Sequence, residues 1–416
     1  MAYSTRKDKI RMKILLIGAG GQGAPCASIL SKDKDIEKIL LADVNGDMAR
    51  KVADKIGSDK ITAIQMNAGN IDEIVSAAKG KDVIIDLIST SFTVNIMKAA
   101  LMAGGHYVNS AFSRDIWDFE LDQSKKPKLY DEFEQKGLSA LLGCGMSAGY
   151  TNVLARKYID KLDKVKSVKI RLAKKDTSVS ELEEILEPWN PGWNPRIAFM
   201  DFVNSTTIFE DGQYKTYEKP FSQIETWKFP EPVGQMPVAL HAHEEPYSMP
   251  MTLKDKGLEY CDFKYYVNKQ IAPMVALGFG TVNNIEMHGV DINPLDVLLR
   301  MVPKPGDAFL SDDPSTFEYK DRYKHVSIMI QIIGQIDGKE KKYMITIPDM
   351  NKPRKKIYEL FGTTSVNVAL PTVIGAKMVY EGSKKGVIFS EELNPERFLE
   401  LLENTGYPNK WETDES

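Results

Sequence analysis

A strand that runs straight into three spaced glycines and then into a helix leaves a chain few folds to choose from. Ile14-Leu15-Leu16-Ile17 is followed at once by Gly18-Ala19-Gly20-Gly21-Gln22-Gly23, and the residues over 22–31 read as a helix. In that setting Gly18 permits the tight turn, Gly20 lets the backbone approach a diphosphate, and Gly23 allows the helix to pack closely on the strand. The helix N-terminus offers unpaired N–H groups and a favourable dipole to the phosphates. Asp43 ends the second strand candidate, twenty residues beyond Gly23, where a carboxylate accepts hydrogen bonds from ribose hydroxyls. Gly18, Gly20, Gly21, Gln22, Gly23 and Asp43 are therefore the expected dinucleotide-binding residues. Asp43 repels a 2′-phosphate, which favours NAD, while Arg50 and Lys51 keep NADP open.

From Lys13 to Leu142 short apolar runs alternate with amphipathic stretches, the pattern of βαβ units. Strands are expected at 13–17, 38–43, 61–66, 82–88, 106–110 and 138–142, with helices near 22–31, 46–56, 70–79, 92–103 and 125–136. This is a doubly wound parallel Rossmann sheet over residues 1–149. Loops after its strands face the ligand, so Asn67-Ala68-Gly69 is expected on the adenine side and Ser89 and Thr90 beside the nicotinamide ribose. The hydroxyls of 89–91 are equally suited to capping the next helix.

After Gly149 long β-like runs appear, and Val326 to Ile336 turns at Asp337-Gly338 into Lys341 to Ile347 as a hairpin. Residues 150–355 read as an α+β substrate domain on a mostly antiparallel sheet, with loops at the proline-rich segments 188–195 and 229–237. The run Val326 to Ile333 is either an interior strand or one that pairs across a two-fold axis. Residues 356–416 read as helical, over 364–381 and from Leu393 to Glu403. Its 416 residues make two domains the default for such a chain.

Composition narrows the partners. A hydrophobic fraction of 43% and a charged fraction of 27% suit a folded enzyme, and 54 basic against 58 acidic residues leave no nucleic-acid footprint. The basic start, from Arg6 to Lys13, reads as a solvated arm. Cys26, Cys144 and Cys261 have no paired or metal-ligand spacing. No apolar run reaches the roughly 18 residues that span a bilayer. A cytoplasmic protein without a membrane or metal is expected, and a homodimer as the commonest oligomer.

Hydride chemistry requires the protein to orient a substrate and manage one proton. His241-Ala242-His243-Glu244-Glu245 is the densest cluster of histidine with carboxylate, so His243 and Glu244 are the candidate proton-handling residues; an exposed loop cluster is the alternative. Arg196 suits a two-pronged carboxylate clamp or a surface position. Tyr150 lies after the last Rossmann strand, either lining the cleft or in the core. Trp193, with Trp189, walls an aliphatic chain or packs between domains.

Several stretches resemble the saccharopine dehydrogenase-like superfamily, which includes saccharopine reductase, lysine 6-dehydrogenase and carboxynorspermidine synthase. They are Asp82 to Leu87, Ala103 to Val108, Gly145 to Ala155, Trp193-Asn194-Pro195-Arg196, His243-Glu244-Glu245, Phe361 to Thr364 and Gly386-Val387-Ile388. The resemblance implies an NAD(P)-dependent oxidoreductase that interconverts an amine and an imine on an amino-acid or polyamine-like substrate, with the C-terminal helices of 356–416 packing back on the first domain. Ser147-Ala148-Gly149 departs from that pattern, which usually has proline before the glycine. A sugar dehydrogenase of the two-domain type is disfavoured because no Glu-Lys-Pro follows His106-Tyr107-Val108. A non-catalytic dinucleotide sensor is the alternative from another class.

Overall fold

The computed structural model describes residues 11–112, 116, 129–191, 193–303 and 305–416. Arg6, Lys7 and Lys9, and the start of the helix expected over 125–136, lie outside the described residues. The first six strands are β1 (Met12–Ile17), β2 (Ile36–Asp43), β3 (Ile61–Gln65), β4 (Val83–Asp86), β5 (His106–Asn109) and β6 (Ser139–Leu142). Between them run helices α1 (Gly23–Lys32), α2 (Gly46–Ile56), α3 (Ile71–Ala78), α4 (Thr93–Ala103) and α5 (Leu129–Gln135).

A strand from the far end of the chain, β17 (Gly386–Phe389), completes a seven-stranded parallel sheet in the order β17-β6-β5-β4-β1-β2-β3. Helices cover both faces, which is why the central strands are continuous apolar runs: Ile14, Leu15 and Leu16 have no exposed surface. The strand order reverses at β1, which pairs with β2 on one side and β4 on the other. In such sheets the ligand crevice opens at that reversal, outside the carboxyl ends of the strands.

The second sheet is built from β7 (Lys164–Asp176), β8 (Thr206–Glu210), β9 (Gln213–Tyr217), β10 (Glu225–Lys228), β11 (Gln235–Leu240) and β12 (Tyr260–Tyr266). It also contains β15 (Lys324–Ile336), β16 (Lys339–Ile347) and β18 (Glu412–Glu415). The main path runs β10-β11-β12-β7-β15-β16-β18, and only β12 and β7 are parallel among its pairs. A small hairpin, β13 (Ile285–Met287) and β14 (Val290–Ile292), stands apart. The Asp337-Gly338 turn joins β15 and β16 as expected, with both residues at positive φ.

Two expectations need correction, and one open alternative is decided. The C-terminal region is not wholly helical: β17 and β18 interrupt it, and a four-residue apolar run such as Gly-Val-Ile-Phe is too short to show a period. The helix expected over 364–381 begins only at Ala369, because Gly362, at φ 70°, ends a helix over Arg354–Phe361, and the side chain of Asn351 then accepts from the amides of Val366 and Asn367. The run Val326 to Ile333 is interior, bonded to β7 on one side and β16 on the other, so its edges are not available to a second subunit.

The C-terminal helix α10 (Ala369–Glu381) lies against α1 and the first sheet. A Cβ on its Gly375 would come 2.6 Å from Cys144 Sγ, so only glycine permits that seat. Lys377 clamps both Asp33 and Asp35, at 2.8 and 2.7 Å. Among the described residues no helix is long and apolar enough to cross a membrane.

Within the second sheet Arg171 is buried and gives Asp262 two parallel hydrogen bonds, at 2.7 and 2.9 Å, and a third to Glu225 at 2.8 Å. Asp262 has no exposed surface. Removing one member of such a pair strands the other charge, at a cost of about 3–5 kcal/mol. Arg171→Met is expected to lower the stability in urea unfolding by that amount, whereas Arg171→Met with Asp262→Leu recovers part of it; a single variant as stable as the parent would contradict the assignment.

Candidate active site

The turn after β1 has the geometry of a diphosphate cradle. Gly18 sits at φ 107°, and a Cβ on Gly23 would lie 1.9 Å from the Gly18 carbonyl oxygen. Each position is therefore closed to any other residue. Gly20 differs: a Cβ there meets nothing within 4 Å, because its backbone faces open space. No side chain caps α1 and no acid stands in its first turn. An anion seated there would meet unopposed donors and a helix dipole. Asp43 holds the turn in place, accepting from the amide of Ala19 at 2.7 Å and of Asn45 at 2.8 Å. Each carboxylate oxygen keeps a further lone pair for a ribose hydroxyl.

At the end of β4 the buried carboxyl of Asp86 takes the Tyr107 hydroxyl at 2.7 Å and the Ile88 amide at 3.2 Å. The second of these bonds fixes the loop that carries Ser89 and Thr90, whose residues line the same crevice as Gly18, Gly20, Gly21, Gln22 and Asp43. Ser89 Oγ and Ser91 Oγ lie 3.0 Å apart. The structure thus gathers Gly18, Gly20, Gly21, Gln22, Asp43, Ser89 and Thr90 onto one wall with Gly23 packed beneath it, whereas Asn67-Ala68-Gly69, expected on the adenine side, do not line this cleft: Asn67 folds back on its own loop, its side chain accepting from the Gly69 amide at 2.9 Å.

That crevice is one cleft of about 1320 Å³, and its far wall belongs to the second sheet. Here the chain leaves β11 through His241, His243 and Glu244 and enters helix α8 (Glu245–Thr252). Glu245, with no exposed surface, shares a short hydrogen bond with His243 Nδ1 and accepts another from the Ser147 hydroxyl. Ser147 follows β6 of the first sheet, so the contact ties the two walls together. The imidazole of His243 lies flat on Phe263, centroids 3.9 Å apart, with Glu244 at 3.3 Å from Nδ1. Its Nε2 makes no hydrogen bond among the described residues.

The charges follow from these contacts. Burial opposes a charge on His243, but the carboxylates of Glu245 and Glu244 and the bond to Glu245 outweigh it, and the imidazole is pushed up to about 9. Glu245 is held below its ordinary value despite burial, chiefly by His243. Glu244 is raised by burial, against His243 and with Glu245. Asp201, at the end of helix α7 (Pro195–Met200), is pushed up to about 8 by burial, with His243 pulling it down and Glu244 up. His241 is kept far below its usual value by burial and by the charges of His243 and Lys174. At neutral pH the site therefore pairs a charged His243 with Glu245, beside a protonated Asp201 and a Glu244 carboxyl raised by burial.

Other expected residues fall differently. Trp193 lines the cleft, with Trp189 edge-on to Phe199 at 6.2 Å. Arg196 does not line it: the guanidinium is paired with Asp296 on helix α9 (Pro294–Arg300), and its side chain is 52% exposed. Tyr150 is core, stacked on Phe398 at 6.2 Å and 2% exposed. As the first residue of helix α6 (Tyr150–Ile159), it is turned inward, away from the cleft. Asp201 was not expected, and nothing in its local sequence marks it. Glu245 was within the noted cluster, but which of two adjacent glutamates faces His243 depends on where α8 begins.

His243, Glu244 and Glu245 also present ligand atoms within 4.8 Å of one another, a set compatible with a cation. His243 Nδ1 and Glu245 already satisfy each other there, which favours proton handling over coordination.

Comparison with known proteins agrees with this architecture. Residues 14–141 match the model of the saccharopine dehydrogenase NADP binding domain, and residues 145–407 that of the saccharopine dehydrogenase C-terminal domain. The chain is 26% identical to a carboxyaminopropylagmatine dehydrogenase from Synechocystis sp., over 95% of this chain and 96% of that one. It is 23% identical to a carboxynorspermidine synthase from Vibrio alginolyticus, over 95% of each. The fold matches saccharopine dehydrogenase (L-Glu forming) from Saccharomyces cerevisiae, with a TM-score of 0.67, 16% identity, and 97% and 100% of the two chains covered. It also matches a homospermidine synthase from Legionella pneumophila solved with NAD, at 0.63 and 12%, covering 99% and 93%.

Replacing Asp43 by Ser removes the ribose acceptor and the charge that repels a 2′-phosphate. The ratio of NAD(H) to NADP(H) affinity, from fluorescence titration, is expected to fall at least tenfold, about 1.4 kcal/mol. An unchanged ratio would remove Asp43 from the cofactor site.

Proposed function

The chain belongs to the saccharopine dehydrogenase family, and from that premise we propose that it interconverts an imine and a secondary amine joining an amino-acid arm to a polyamine-like arm. The observation that carries this reading is the joining, in one cleft, of the glycine turn and the charged His243–Glu245 pair. Held by Gly18, Gly20, Asp43, Ser89 and Thr90, a nicotinamide dinucleotide would supply hydride to the imine carbon, or accept it from the amine in reverse. His243 gives a proton from Nε2 to the nitrogen in the first direction and removes it in the second. Glu245 holds the imidazolium in place through Nδ1, and Ser147 holds Glu245. Glu244 and Asp201 line the cleft as acids beside a cationic amine, while Trp189, Trp193, Phe202 and Tyr265 exclude water along an aliphatic chain. Asp43 favours NAD, and Arg50 is taken by Asp47, while Lys51 on the same helix keeps NADP open.

The cellular setting we read as cytoplasmic, supported by three free, buried cysteines. A homodimer is supported by exposed apolar side chains between 277 and 301, among them Leu277, Val282 and Met301 at 76–83% exposure. Size-exclusion chromatography with light scattering is expected to give twice the chain mass of 46.7 kDa; a monomer would overturn that part.

The purified protein is expected to oxidise NADH or NADPH with a diamine and a short carboxylated aldehyde. No turnover across such pairs, nor with lysine or saccharopine in reverse, would overturn the reading in favour of a sensor. His243→Ala is expected to lower kcat about 10²–10⁴-fold while keeping dinucleotide affinity. The pH dependence has a definite sign. Because His243 is raised from 6.5 to about 9, imine reduction is expected to fall as pH rises through about 9, and amine oxidation to rise there. Its pairing likewise stabilises the fold fully below 6.5 and is lost as the pH rises through about 9. Glu245→Gln removes the main raising charge, and the kinetic limb is expected to move toward 6.5; an unmoved limb would dissociate His243 from it.

A further inference from the structure

With Arg196 turned away, the cleft needs another group to receive the carboxylate of a substrate with an amino-acid arm. The floor of the second sheet supplies one. Leu172 and Lys174 of β7 point to the same side of the sheet as Tyr265 of β12, Leu172's partner in register, and Ile328 and Val326 of β15, which pair with Leu172 and Lys174. All five line the cleft. Lys174 is the cation in this otherwise apolar and aromatic floor.

The cleft has other cations, and each already has a partner. Lys175 donates to the Val233 carbonyl at 3.3 Å, Lys324 is paired with Asp176, and Arg354 with Asp321 at 2.8 Å. Lys174 is half-buried as a residue, and its Nζ makes neither a hydrogen bond nor an ion pair among the described residues. Its nearest recorded company is the Tyr265 ring, 5.9 Å away, at the outer edge of a cation–π contact. An ammonium that lines the cleft without an anion beside it is free to form a charge-assisted hydrogen bond with an incoming carboxylate.

The position also fits the acid–base end. From His243 the rings of His241 and Tyr265 step across the floor towards Lys174, with centroid separations of 6.3 and 4.9 Å. His241 Nδ1, buried on this path, has no hydrogen-bond partner among the described residues. The acids Glu244, Glu245 and Asp201 gather at the His243 end and the free ammonium lies at the other.

We propose that Lys174 binds the substrate carboxylate, so that the amino-acid arm lies along β7 and the cationic amine arm meets Glu244 and Asp201. This rests on the amine–imine reading above and names the group that gives it direction and selectivity. Lys174 is a binding residue and has no part in moving the proton.

The test uses two pairs of compounds differing by one carboxylate: carboxynorspermidine against norspermidine, and carboxyaminopropylagmatine against aminopropylagmatine. Each is titrated calorimetrically into the dinucleotide-loaded protein and its variants. The parent protein is expected to bind the carboxylated member of at least one pair ten-fold or more tighter. In Lys174→Met that preference is expected to vanish, with affinity for the decarboxylated member unchanged; Lys174→Arg is expected to retain most of it. Circular dichroism and the melting temperature confirm that the half-exposed substitution folds. A preference that survives Lys174→Met, or a parent protein that never prefers the carboxylate, overturns the assignment of Lys174. A parent protein that binds neither member of either pair overturns the amine–imine reading itself, and the assignment with it.

Discussion

One buried carboxylate organises the chemistry of this molecule. Glu245 has no exposed surface and bonds at once to His243 on its own loop and to Ser147 after the last strand of the first domain. A charge so enclosed is tolerated only when it is paired and hydrogen-bonded. The pairing keeps His243 protonated at neutral pH, and the Ser147 bond holds that imidazole opposite the crevice where the first sheet reverses its strand order. Placement and protonation of that imidazole thus come from the same group.

The first sheet was legible in the sequence almost completely, for a physical reason. A parallel sheet covered on both faces demands unbroken apolar strands, and the turn after β1 admits only glycine at Gly18 and Gly23, so the requirement is written as residue identity. The hairpin at Asp337-Gly338 was legible for the same reason, since both turn residues need positive φ. The seventh strand was not. Gly386 to Phe389 belongs to the sheet only because β6 is there to pair with it, and a contact across 245 residues, such as Ser139 Oγ to Lys384 O, leaves no local mark.

The site divides in the same way. The histidine–carboxylate cluster announced itself by composition, and the dinucleotide residues by spacing. Arg196 and Tyr150 show the limit of residue type as a guide. An arginine suits a carboxylate, yet Asp296, one hundred residues on, takes it. A tyrosine near a cleft is apt, yet Phe398 and the helix start turn it into the core. Lys174 is the converse case: in sequence it is one of two adjacent lysines on a strand, and only the register against β12 and β15 separates it from Lys175.

The central claim is that His243 carries a proton at neutral pH because buried carboxylates hold it there. Its most direct test is a nuclear magnetic resonance titration of the His243 imidazole in the intact protein, assigned by comparison with His243→Ala. The account requires a midpoint near 9, with the ring charged throughout the neutral range. A midpoint at or below 6.5, the value of an unperturbed imidazole, would contradict it.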